Sequence, residues 1–245
     1  MKLNKNVPKQ YKVLYKHVVV FMKATEESIP IPCDSDVFGT EKTIYILHEN
    51  VKALLEFDMI GQAAISAYMA LLQRLIKIER KNDDVVLYGF FDPGATFTLN
   101  KSFHSYFVNR LKESSPYRMY FMPHNHNCHW ILVVIWDGDI YILNPLPHPT
   151  YFDELEKSLT EAMKSYNAQT GRGIKAPQIK NLLGSPKQPG GVECGYVIMR
   201  SMKDIIADKE LSFTTKWAAK TRKSYSRQEL DEVRMEVLEF IQDKM

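Results

Sequence analysis

Apolar residues recur at spacings of three and four between Gln62 and Lys77, as Ile65, Tyr68, Met69, Leu72, Leu75 and Ile76. That period predicts an α-helix with one buried face. The same rule predicts helices over Ser102–Lys112, from Phe152 onward with Leu155, Leu159, Met163 and Tyr166 on one side, over Cys194–Ile206 and over Gln228–Gln242. Thr150 with Asp153, and Ser226-Arg227-Gln228-Glu229, have the form of capping boxes at two of these starts. Between the helices the pattern changes. Val85–Phe91, Arg118–Pro123, Trp130–Trp136 and Asp139–Leu143 are apolar, β-branched or aromatic runs of strand length. Asp137-Gly138, between the last two, is a two-residue hairpin signal.

Residues 1–40 are the least regular part. The Tyr11–Phe21 run is expected as a strand or extended arm, and Ile29-Pro30-Ile31-Pro32-Cys33 as a connection. No repeat and no interdomain linker stands out. Helices, then strands, then helices predict one α+β domain over 41–245, with 1–40 as an N-terminal extension.

The chain has 245 residues, of which 45% are hydrophobic and 25% charged, which excludes disordered, collagen-like and low-complexity architectures. No apolar run approaches the ~20 residues of a membrane span. The run Val18–Met22 is too short for the core of a secretory leader. A net charge of only +3 does not mark a nucleic-acid binder. Three cysteines, Cys33, Cys128 and Cys194, cannot close a disulfide framework and point to a free thiol in a reducing compartment. A nuclear or cytoplasmic address is expected.

Two constellations carry chemistry. If Asp137-Gly138 forms the hairpin loop, Trp136 faces Asp139, and His129, Ile131 and Asn144 fall on one face. His129 is then diagonal to Asn144, about 7–8 Å away at Cα, a distance an imidazole and an amide can bridge. Asp137 and Asp139 are stronger partners electrostatically but sit at the far tip. In the second constellation, Gln188-Pro189-Gly190-Gly191-Val192-Glu193 leads to Cys194-Gly195-Tyr196 at a predicted helix start. Unpaired N–H groups there favour a thiolate. Gln188 and the Cys194 N–H could cradle an oxyanion.

Each residue alone has a plainer reading. His129 would be an ordinary packed or surface histidine, and Asn144 a turn former before Pro145. His124, His126, Cys128 and His129 invite a zinc reading, but their alternation splits them between two sides and no metal is expected. Cys128 is expected as a small packed residue and Cys33 as a loop thiol. Lys216, Lys220, Arg222, Lys223 and Arg227, with Trp217 and Tyr225, read as a solvated loop and helix flank.

Taken together, His129-Trp130, an acceptor after the next strand and Gln-x5-Cys-Gly resemble the ubiquitin-like-protein-specific (SUMO) cysteine proteases, of which the adenovirus protease is a distant relative. The chain looks most like the plant branch associated with transposon-derived genes, over roughly residues 45–245. The resemblance implies a papain-like cysteine peptidase fold, with a central mixed sheet flanked by helices. It implies Cys194 as nucleophile, His129 as general base, Asn144 as its orienter and Gln188 in the oxyanion hole. Trp130 would line a tunnel for the Gly-Gly tail of a ubiquitin-like modifier. The implied partners are that modifier and its conjugates. No cofactor, membrane or nucleic acid is implied, and a monomer is expected. Two departures stand out. Asn144 replaces the usual Asp, and Met59-Ile60-Gly61-Gln62 replaces a Trp-Leu-Asn-Asp stretch, with Phe57 as a candidate second wall. They keep open the alternative of a weak or inactive modifier-binding, transposon-associated module.

Overall fold

The computed structural model describes residues 7–79, 88–99, 101–113, 119–148, 150–172, 176–219 and 223–245. Positions 85–87 and Arg118 of the expected strands, and Lys220 and Arg222 of the basic stretch, lie outside the described residues.

The chain begins with a helical segment: a 3-10 turn Lys9–Tyr11, α1 (Lys12–Lys16), a π-helical turn His17–Met22 and α2 (Lys23–Thr25). The strand expected over Tyr11–Phe21 is therefore not formed. Tyr11, Leu14, Tyr15, Val18 and Met22 are all buried. Their spacing is that of a helix face, and burying that face outweighs the strand preference of Val18-Val19-Val20. Tyr15 donates to Glu56 (2.6 Å) and Tyr11 to Glu239 (3.3 Å). Next, β1 (Ile29–Cys33) pairs antiparallel with β2 (Lys42–Ile46) on either side of the short α3 (Ser35–Phe38). The Pro-containing stretch is thus a strand, not a connection. Ile29, Ile31 and Cys33 face inward while Pro30 and Pro32 face out, as proline on an edge strand can.

Helices α4 (His48–Glu56) and α5 (Gln62–Glu79) follow, then β3 (Tyr88–Phe90), α6 (Lys101–Lys112), β4 (Met119–His126), β5 (His129–Trp136) and β6 (Asp139–Leu143). The chain ends with α7 (Asp153–Thr170), β7 (Ile179–Asn181), α8 (Cys194–Ala207), α9 (Phe213–Lys216) and α10 (Arg227–Gln242). The strands β3-β4-β5-β6-β7 form one mixed sheet, parallel at both edges and antiparallel in the middle. Asp137 (φ 51°) and Gly138 (φ 78°) both take positive φ, as a type I′ hairpin requires, and Trp136 faces Asp139.

Alternation along β5 and β6 divides the core. Trp130, Leu132, Val134, Tyr141 and Leu143 pack with α5, α8 and α10. Ile131, Val133, Ile140 and Ile142 pack with Phe103 and Phe107 of α6 and with Leu155, Leu159 and Met163 of α7. The capping box before α10 forms, with Ser226 N–H donating to Glu229 (2.7 Å) and Glu229 N–H to Ser226 Oγ (3.3 Å). The one expected before α7 does not. Phe152 occupies that N-cap without a side-chain bond, and the Thr150 hydroxyl turns to the His148 carbonyl. Among the described residues no helix is long and apolar enough to cross a membrane.

Candidate active site

β5 starts at His129 and β6 ends one residue before Asn144, so the hairpin register brings both to the same end of the sheet. His129 Nε2 lies 2.8 Å from Asn144 Oδ1, which also accepts the Leu146 N–H at 3.0 Å. An oxygen offers no proton, so Nε2 carries the ring hydrogen and Nδ1 keeps the basic lone pair. The Asn144 carbonyl accepts Lys187 Nζ (2.8 Å), and the Pro145 carbonyl accepts the Gln188 N–H (2.9 Å). These bonds tether the loop that leads to Cys194 to the strand end that orients His129.

Cys194 is the first residue of α8, which packs on β5, and it is only 4% exposed. Burial pushes its thiol up, and Glu193 adds to the rise. The backbone N–H groups of Trp130, Gly195 and Cys194 itself pull the other way without prevailing. The thiolate expected at this helix start therefore gives way to a neutral thiol, because desolvation outweighs the helix-terminal N–H groups. Burial also holds His129 below the ordinary histidine value, helped by His126 and opposed by the Asn144 bond. Both shifts favour the neutral forms, thiol and imidazole. The Trp130 N–H that points at the sulfur belongs to the residue after His129. Among the described residues no hydrogen bond joins Cys194 Sγ to His129 itself.

Trp130 is buried, and its Nε1–H donates to the Ile60 carbonyl (2.9 Å). Beside it, a Cβ on Gly195 would lie 2.4 Å from Ile60 Cγ1, closer than real contacts permit, so any larger residue there would have to displace Ile60. Phe57 is not a second wall. It stacks on Tyr196 (4.5 Å between centroids) with the Arg227 guanidinium 3.4 Å from its ring centroid, inside the core. The side chain opposite Trp130 is Ile60, with Met59, 55% exposed, outside it. Ile60 could not be singled out from the sequence; Gly195 beside a cysteine signals close packing but does not name the neighbour. Gln188 folds onto its own loop. Its Nε2 donates to the Gly190 carbonyl (2.6 Å), and its Oε1 is buried without a partner.

The other candidates separate from this cluster. Cys128 is exposed in the β4–β5 turn and Cys33 is buried in β1, the reverse of the sequence expectation. Burial pushes the Cys33 thiol up to about 11. His124 is buried with Nδ1 3.2 Å from the Thr96 carbonyl, and His126 meets Phe152 edge-on. Among the described residues, no group of three or more His, Cys, Asp or Glu could hold a metal ion.

Residues 58–237 match the model of the Ulp1 protease family, C-terminal catalytic domain. No curated protein sequence matches the chain. Solved structures do. A crystal structure of a de-sumoylating protease aligns with TM-score 0.61 at 14% identity, covering 89% of this chain and 93% of that one. The C-terminal Ulp1 protease domain in complex with Smt3, the yeast ortholog of SUMO, aligns with TM-score 0.55 at 13% identity, covering 100% and 99%. The catalytic domain of a Chaetomium thermophilum Ulp1-like SUMO protease aligns with TM-score 0.57 at 11% identity, covering 99% and 92%. At these identities the likeness speaks for the fold: α+β, with a central mixed sheet flanked by helices.

Proposed function

The chain belongs to the Ulp1 protease family and is a cysteine peptidase, and from that premise we propose that it cleaves after the C-terminal Gly-Gly of a SUMO-like modifier. In this reading His129 Nδ1 takes the Cys194 proton as the sulfur attacks the carbonyl carbon of the last glycine. The tetrahedral oxyanion is met by the Cys194 backbone N–H and, once it turns from Gly190, by Gln188 Nε2. The C–N bond then breaks and the His129 imidazolium gives its proton to the leaving amine. Water, deprotonated by His129, attacks the thioester. The C–S bond breaks, the sulfur regains its proton and the modifier leaves with a free carboxylate. Asn144 holds the tautomer and ring plane throughout, as an amide does in Cys-His-Asn peptidases. It stabilises the imidazolium less than a carboxylate would.

The observation that carries this reading is Asn144 Oδ1, which takes both His129 Nε2 and Leu146 N–H and leaves Nδ1 as the base, one residue before the Trp130 N–H that meets the Cys194 sulfur. A second reading, a modifier-binding module with little or no turnover, draws on the burial of Cys194 and on Gln188 being turned to its own loop. SUMO carrying a C-terminal coumarin amide, and a SUMO precursor with a tail beyond Gly-Gly, distinguish the two. The peptidase reading expects both to be cleaved by the wild type and neither by Cys194→Ala. Tight binding of SUMO without release of either product would favour the module.

A further inference from the structure

Behind Asn144 lies a cavity of about 350 Å³ that also borders Lys187. Its floor is Ile142, Phe152 and Leu182, all buried. Its open rim combines exposed apolar side chains, Tyr151 at 82% and Leu183 at 52%, beside Leu146 and Pro147, with the polar His148, Thr150 and Asn181. Asp153 and Glu156, in the first turn of α7, add two carboxylates to the wall. Among the described residues neither is in an ion pair. An apolar basin with an unpaired acidic edge is complementary to a segment that carries an apolar and a basic side chain together.

The position of the cavity says what would bring such a segment there. Strand alternation puts Asn144 on the side of Ile142 and α7, whereas Trp130 and the start of α8 lie on the other side of the sheet. In the peptidase reading, the acyl half of the substrate sits against Cys194 and Trp130. The leaving nitrogen must lie next to His129, which protonates it. A chain attached to that nitrogen that follows the sheet end from His129 to its hydrogen-bond partner Asn144 reaches the cavity that Asn144 walls.

We propose that this cavity receives the leaving-group side of the substrate, with an apolar side chain among Leu146, Tyr151 and Leu183 and a basic one against Asp153 or Glu156. The proposal rests on the peptidase reading of the site. It makes Leu183, Asp153 and Glu156 determinants of which conjugates or precursors are cut.

The test uses the full chain and SUMO fusions whose tail beyond Gly-Gly contains either Leu-Lys or Ser-Glu, with the SUMO coumarin amide as the reference lacking any tail. Relative to that reference, the Leu-Lys tail is expected to be cut about tenfold more efficiently than Ser-Glu. Leu183→Ser and Glu156→Lys should each bring the ratio close to one. A ratio near one in the wild type, or an unchanged preference in both variants, would overturn the proposal. Fluorescence anisotropy of the free Leu-Lys peptide on Cys194→Ala protein separates the two levels of the argument. If no SUMO substrate is cleaved, peptide binding that Glu156→Lys abolishes still supports the cavity, and binding that is absent or insensitive to Glu156→Lys overturns it.

Discussion

The two halves of the site are held by different forces. On the His129 side, polar groups are fixed by a chain of hydrogen bonds, from Lys187 to the Asn144 carbonyl and from His129 and Leu146 to Asn144 Oδ1. On the Cys194 side, apolar packing dominates, with Gly195 against Ile60 and Trp130 tied to the Ile60 carbonyl. In the first half the His129 ring is held by its Nε2 edge. The second is packed, with Cys194 only 4% exposed. Hydrogen bonds set the orientation of His129; packing surrounds Cys194.

That contrast can be broken from either side. The largest effect is expected at Cys194, the nucleophile of the proposed reaction: Cys194→Ala should lower turnover of a SUMO coumarin amide by roughly four orders of magnitude or more, with an unchanged circular dichroism spectrum. Next is Gly195→Ala, whose new Cβ would press on Ile60. It should destabilise the fold by about 1–3 kcal/mol in urea titration and abolish most activity. Ile60→Ala in the same chain should recover part of both losses, a non-additivity that a double-mutant cycle measures. If Gly195→Ala proves harmless, the packed half is looser than described.

On the hydrogen-bonded side, Asn144→Ala should lower kcat roughly 10²-fold by freeing the ring, with a smaller change in KM. Asn144→Asp tests the same bond with the opposite sign. His129 works as a base only when neutral, and its value lies below the ordinary histidine value of about 6.5. The wild-type kcat/KM should therefore fall on the acid side only below that pH. A carboxylate at 144 favours the imidazolium, raises the His129 value and moves the acid limb upward while activity is kept or increased. The smallest effect is expected from Trp130→Phe, which removes the N–H to the Ile60 carbonyl and should cost about 0.5–1.5 kcal/mol of stability.

The hydrogen-bonded half was the more legible one in the sequence. Asp137-Gly138 sets a two-residue loop, the loop sets the register, and the register places His129 beside Asn144 without reference to any other element. The packed half depends on tertiary neighbours that spacing does not name. Ile60, in the segment between α4 and α5, approaches Gly195 of α8, and Phe57 turns into the core against Tyr196. The thiol went the same way: a helix start argues for a thiolate, but burial, which no local pattern reveals, reverses the shift. Two local misreadings have local causes. In Tyr11–Phe21 three consecutive valines masked the helical spacing of Tyr11, Leu14, Tyr15, Val18 and Met22. In Ile29–Cys33 the two prolines masked an alternation that an edge strand tolerates.

The central claim, that a modifier tail delivers its carbonyl to Cys194, is tested most directly by electrophile-tipped SUMO followed by peptide mapping. Three free thiols compete: Cys33 buried in β1, Cys128 exposed in a turn and Cys194 buried at the start of α8. A small alkylating agent selects by exposure and should modify Cys128 first. The SUMO probe is predicted to leave Cys128 untouched and form a single adduct on Cys194, lost in His129→Ala. An adduct on Cys128, or none on any cysteine, would contradict the account.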